Sequence, residues 1–385
     1  MKLNKIFLFS IFIFLNLKSQ HIYNNIDNKD NLNIVPHKEI ILDAVNDLFT
    51  IKNNPNDLFK QFDSQSQKRW GRSELVGTIY KSGWLRDNSE YFKPTVLGII
   101  DLIPSEKYYI KLALISNDHP QGNSIQVIYN LIANYDSKNK KVNFSKFTDW
   151  YIRDWYSEQV GNILYYKRNK KTFSEQQAHN LDEFNKELSE KFGIPVKKIT
   201  YFSCVDAFDV YHLKGFDYAP NMFFARHGGL VSYGGEGSYE HIIYSANDNE
   251  FYPHELSHFY IDEFSNNDTS RLASEGIATY LGGSGKPGLT YQHHLSVLNN
   301  FVKQNNIKIN DMFIESKMKM IDSDVSTLYS IGALVAKIIY ERNGINGWKE
   351  FLLLKESSLH KGISEILNVK ESDLNALILS ELNKF

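Results

Sequence analysis

Cysteine is nearly absent from this chain. Cys204 stands alone among 385 residues, so no disulfide can form within it. Exported bacterial proteins commonly fold without one, so this leaves the compartment open. With no cysteine behind the apolar N-terminal run, a lipid anchor there is excluded. A large charge of one sign is missing too. The formal net charge is -2 with no strong basic block, which gives no electrostatic footprint for nucleic acid. There is no Gly-x-x-x-x-Gly-Lys-Ser/Thr, which argues against a phosphate loop. Beyond Leu17 no apolar run is long enough to span a bilayer. What remains is a chain with 42% hydrophobic and 14% aromatic residues, enough for two modest domains with real cores.

The first residues read as an export signal. Lys2 and Lys5 precede the apolar run Ile6 to Leu17, which is short for a membrane span, and Ser19 offers a small residue before Gln20. Residues 1–19 are therefore expected to be a cleaved signal peptide and the protein to be secreted or periplasmic. Residues 20–37 are rich in Asn and Asp and read as a loose segment. Lys38 to Phe62 carries a helical apolar stripe of Ile41, Ala44, Val45 and Leu48. Strand-like runs follow at Leu75 to Tyr80, Thr95 to Leu102, Tyr108 to Ser116 and Ser124 to Tyr135, with a turn at Asp118 to Gly122. A helix followed by antiparallel strands predicts a small α+β domain over residues 38–155, similar to a cystatin- or NTF2-like sheet curling over a helix. The aromatic run from Phe147 to Trp155 is expected to pack between domains rather than bind sugar or peptide.

Residues 156–385 carry the chemistry. His254-Glu255-Leu256-Ser257-His258 is an H-E-x-x-H motif. Residues four apart share one face of a helix, so two imidazoles can reach one Zn²⁺ with Glu255 beside its water. Pro253 suits the first turn of such a helix. Leu256, Phe259, Tyr260 and Ile261 predict its burial, and buried His and Glu without a partner would be costly. The residues after His258 exclude the metzincin pattern. Glu275 leads as third ligand, on a short helix from Arg271 to Leu281 that Thr269 or Ser270 would cap and Gly282-Gly283 would end. Asp262, one turn past His258, is the runner-up, and His293 and His294 are weaker candidates.

This pairing of His254-Glu255-Leu256-Ser257-His258 with Glu275-Gly276-Ile277-Ala278-Thr279-Tyr280 resembles the gluzincin metallopeptidases, most closely the thermolysin-like module called the peptidase MA-like domain. The resemblance covers about Val160 to Lys370. It implies a sheet lobe and a helical lobe, with His254, His258 and Glu275 as zinc ligands and Glu255 as the base. Tyr329-Ser330-Ile331-Gly332-Ala333 is similar to an element of gluzincin aminopeptidases whose tyrosine stabilises the oxyanion, and the run from Leu334 to Gly344 resembles the family's helix ending in glycine. The aminopeptidases' Gly-Ala-Met-Glu-Asn segment is missing, which leaves exopeptidase specificity without support.

Before the motif, Asn162 to Lys167 and Ile199 to Ser203 read as strands flanking a helix from Ser174 to Phe192 that Gly193 ends. Gly228 to Gly237 reads as a hairpin or cleft-edge segment. Ile242, Ile243 and Tyr244 are expected to form an exposed edge strand that binds an extended substrate through its backbone. Together these readings predict a secreted zinc metallopeptidase acting on peptide or protein, without nucleic acid or a mature membrane span. The alternative is a non-catalytic binding protein on a peptidase-like scaffold.

Overall fold

The computed structural model describes residues 23–24, 34–50, 54–77, 93–116, 124–219 and 227–385. The N-terminal run, the segment 25–33 and the turn at Asp118 to Gly122 lie outside them. The protein is α+β, and its described residues form two sheets.

The first sheet runs in the order β1 (Tyr23–Asn24), β2 (Lys93–Ile103), β3 (Lys107–Ser116), β4 (Ser124–Asp136), β5 (Lys141–Lys146). All its pairs are antiparallel except β1 with β2. In β3, Tyr108, Ile110 and Leu112 alternate inward, as a strand with one buried face requires. They share a core with Ile41, Val45 and Leu48 of α1 (Lys38–Thr50). The predicted single helix from Lys38 to Phe62 is interrupted. Asn54 caps a second helix, α2 (Pro55–Lys60), through its side chain, and Pro55 starts it. Asp63 caps α3 (Ser64–Arg72). The strand expected over Leu75 to Tyr80 is not formed at its start. Ser73–Gly77 is a π-helical turn continuing α3, with Leu75 and Val76 buried, and 78–80 lie outside the described residues. A short apolar run has no periodicity to separate strand from buried helix.

After α4 (Phe147–Tyr151) the chain builds the second sheet, in the order β10 (Gly229–Tyr233), β11 (His241–Ser245), β8 (Ile199–Ser203), β7 (Ile163–Lys167), β6 (Tyr156–Val160). β7, β8 and β11 are parallel, and β6 and β10 close the edges antiparallel. Between β7 and β8 runs α5 (Glu175–Phe192), capped by Ser174 and ended by left-handed Gly193 as the sequence indicated. This sheet is buried on both faces. Ile163, Tyr165, Ile199, Tyr201 and Ile243 face the core of the helical half. Phe202, Ile242 and Tyr244 face the core of the N-terminal half. The sheet is thus a wall shared by two cores. The junction at 155/156 changes sheets but does not break the packing. Indeed α6 (Ala207–Leu213) joins the N-terminal core, and β9 (Phe216–Tyr218) pairs with β4. Phe147 stacks against Tyr151 and meets His212 of α6 edge-on, so the aromatic run packs against α6 within the N-terminal core.

The helical half comprises α7 (Pro253–Ile261), α8 (Arg271–Gly282), α9 (Tyr291–Asn305), α10 (Thr327–Leu352), α11 (Leu359–Leu367) and α12 (Glu371–Leu382). The run expected to end at Gly344 does break there, and a second helical piece continues to Leu352. Among the described residues, no helix is long and apolar enough to cross a membrane.

Candidate metal centre

Helix α7 starts on Pro253, whose missing N–H falls where a helix has no intrahelical partner to offer. All nine of its residues are buried. The helix is therefore a core element that carries two imidazoles and a carboxylate inward. Helix α8 starts from Ser270, whose hydroxyl accepts from the Ala273 amide at 3.3 Å. It crosses α10 where Gly276 meets Gly332. That crossing brings Glu275 and Tyr329 to the same side as the α7 imidazoles.

Three donor atoms converge. His254 Nε2 lies 3.3 Å from Glu275 Oε2 and 3.4 Å from His258 Nε2, and His258 Nε2 lies 3.6 Å from Glu275 Oε2. A tetrahedral ion with bonds of about 2.0–2.1 Å holds its ligands about 3.3–3.4 Å apart. The triangle therefore has the size of one face of such a coordination shell. Two imidazoles and one carboxylate are also a donor set suited to zinc. The outer nitrogens are tied back. His254 Nδ1 donates to the Gly283 carbonyl at 2.6 Å, which leaves Nε2 as the lone-pair nitrogen. His258 Nδ1 lies 3.5 Å from Ser274 Oγ.

The electrostatics follow from burial. Burial pushes the Glu255 carboxyl above the ordinary glutamate value against the pull of His254 and His258, and Glu275 adds to the rise. Burial also works against the charged forms of Glu275 and His258. There, mutual hydrogen bonding and charge win, holding Glu275 well below the usual range and pushing His258 up to about 9. With no metal bound, a proton on His258 supplies the positive charge opposite Glu275.

A cleft of about 1020 Å³ opens over the cluster. It is lined by Gly228 to Val231, by Arg271, Ser274 and Tyr329, and by Ser284, Gly285, Met320 and Asp324. The Tyr329 ring stands edge-on to His254, centroids 5.9 Å apart. Burial and Glu275 hold its hydroxyl well above the usual tyrosine value, against the Arg271 guanidinium that hydrogen-bonds it. Gly229 lies so close to the base that a side chain there would meet Tyr252 Cε1 at 2.7 Å and Glu255 Cγ at 2.9 Å.

The other candidates fall elsewhere. Asp262 is exposed and accepts from the Tyr233 hydroxyl. His293 is exposed, and His294 is buried beside the Ser284 carbonyl at 3.3 Å. The edge-strand expectation for Ile242, Ile243 and Tyr244 is corrected. β11 lies between β10 and β8, and all three residues are fully buried. The edge beside them is β10, within the stretch that reads as a hairpin or cleft-edge segment, and it pairs antiparallel with β11. Sequence reasoning also missed Arg271, Ser274 and the Gly283 carbonyl. Arg271 sits one helical turn before Glu275, and that spacing was the available signal. No family model, curated protein or solved structure matches this chain.

Proposed function

We propose that this protein is a zinc-dependent metallopeptidase of gluzincin type, hydrolysing peptide bonds with Glu255 as general base. The observation that carries the reading is the triangle of 3.3, 3.4 and 3.6 Å formed by His254, His258 and Glu275, with Glu255 on the same helix. Three protein ligands leave a fourth position free, which is the arrangement of catalytic rather than structural zinc. Bound there, zinc would supply an acidified water and a Lewis acid for the scissile carbonyl.

The chain's own groups do the rest. Glu255, its carboxyl raised by burial, takes the proton of the attacking water and returns it to the leaving amine. The Tyr329 hydroxyl stays protonated and donates to the oxyanion. The outer edge of β10, alongside the cleft, offers backbone donors and acceptors to an extended peptide. Export through the run Ile6 to Leu17 belongs to the same proposal.

The test is metal content of the purified protein by elemental analysis, together with hydrolysis of a mixed peptide library. Stoichiometric zinc and cleavage that a chelator abolishes are expected. Bound peptide without cleavage would turn the reading toward a non-catalytic binding protein.

A further inference from the structure

The edge strand β10 is gripped at both ends. At its start, Gly229 abuts Tyr252 and Glu255. At its far end the chain runs into Gly234 and Gly235, which lie against the backbone of α3 in the N-terminal half. A side-chain carbon on Gly234 would stand 2.1 Å from the Trp70 carbonyl oxygen, and one on Gly235 would stand 1.8 Å from that of Arg69. The approach is mutual, for Gly71, at φ 63°, has no room for a side chain beneath the Gly234 carbonyl. The Glu236 amide then donates to the Lys68 carbonyl at 3.0 Å.

The side chains on α3 reinforce this contact. Arg69 donates to the hydroxyls of Tyr239 and Tyr166, the latter at 3.1 Å, and pairs with Asp149 at 2.8 Å. Trp70 is fully buried, meets Tyr239 edge-on at 5.1 Å and donates its indole N–H to Asp149 at 2.8 Å. Tyr239 sits in the short turn that returns the chain from β10 to β11. The backbone links at Gly234, Gly235 and Glu236 and the contacts with Tyr239 fall on the turn that returns the chain from β10 to β11. Tyr166 on β7 and Asp149 on α4 hold Arg69 and Trp70 in place. A backbone contact of this kind transmits position, because carbonyls in contact with glycines leave no slack to absorb a shift.

We propose that α3 is a positioning element of the cleft: through Arg69 and Trp70 it fixes the Gly234–Gly235 end of β10, and so sets where an extended peptide lies relative to Glu255. The N-terminal half is then part of the substrate site rather than an appended domain. This rests on the peptidase reading of the cleft.

The experiment compares Gly235→Ala and Gly234→Ala with Gly98→Ala, a control in the same half where an added carbon meets nothing within 4 Å. KM for long quenched-fluorescent peptides should rise by about tenfold or more in the first two. Zinc content and turnover of a dipeptide amide should stay as in the parent. Hydrogen exchange should quicken over residues 229–233 while β8 stays protected. If neither variant folds, Arg69→Met is read in the same way. Unchanged KM in folded variants, or a loss of zinc and of all turnover together, would overturn the proposal. Unchanged exchange in β10 would overturn it even if the parent protein cleaves nothing, an outcome that separately ends the peptidase reading.

Discussion

Gly276 of α8 and Gly332 of α10 face each other with no space between them. A methyl on Gly276 would stand 2.4 Å from the Gly332 carbonyl carbon, and one on Gly332 would stand 2.6 Å from the Leu272 carbonyl oxygen. Glu275 precedes one glycine and Tyr329 lies three residues before the other, so the crossing sets their spacing. Gly332→Ala should therefore force the helices apart. A destabilisation of about 1–3 kcal/mol is expected, the usual range for overpacking, with weaker zinc retention. Thermal melts with and without chelator check this, and an unchanged melt in both would show that the crossing relaxes freely.

Glu255→Gln should keep zinc and lose turnover. The amide preserves shape but accepts no proton, and general acid–base catalysis is worth about 10²–10⁴ in rate. Zinc stoichiometry and kcat are measured on the same sample. Near-normal kcat would remove Glu255 from the mechanism.

Glu275→Ala and His258→Ala should strip zinc, whereas Asp262→Ala should leave it. Asp262 is exposed and engaged by Tyr233, away from the three converging donors. Elemental analysis of the purified variants decides, and zinc loss in Asp262→Ala alone would reassign the third ligand.

Tyr329→Phe should lower kcat by about 10²–10³, the typical loss of one oxyanion donor, with zinc content and KM near normal. The ring remains, so packing against His254 is kept. A change under about threefold would reduce Tyr329 to a packing residue.

Zinc uptake by the metal-free protein should release about one proton at neutral pH. Burial opposes the charged imidazole, but Glu275 outweighs it and pushes His258 from 6.5 up to about 9. Because this pKa is raised on folding, the stability it contributes is complete below about 6.5 and is lost as pH rises through about 9. Zinc affinity should climb with pH throughout the range below about 9 and then level. Calorimetry in buffers of differing ionisation heat measures the release, and zero protons at pH 7 would contradict the paired cluster.

The parts of the site that follow a helical period were legible in the sequence. His254, Glu255 and His258 sit four residues apart at most, and Ser270 and Gly283 marked the ends of the helix that carries Glu275. What stayed hidden depends on register between distant segments. The run from Gly228 to Gly237 reads as a hairpin or cleft-edge segment and Gly229 does line the cleft, but nothing in the run says that Gly229 abuts the Glu255 side chain. Ile242 to Tyr244 look like an edge because an apolar run does not say how many neighbours a strand has. The Gly283 carbonyl that orients His254 is backbone, and a main-chain acceptor leaves no mark on composition.

The shared wall between the two cores has a consequence for how this chain can change. Ile242 faces one core and its neighbour Ile243 faces the other. An insertion or deletion of a single residue in β11 would exchange the two linings at once. Both halves of the protein are thus held to one reading frame of in and out along that strand. Insertions should accumulate in the loops between elements and avoid β7, β8 and β11 altogether.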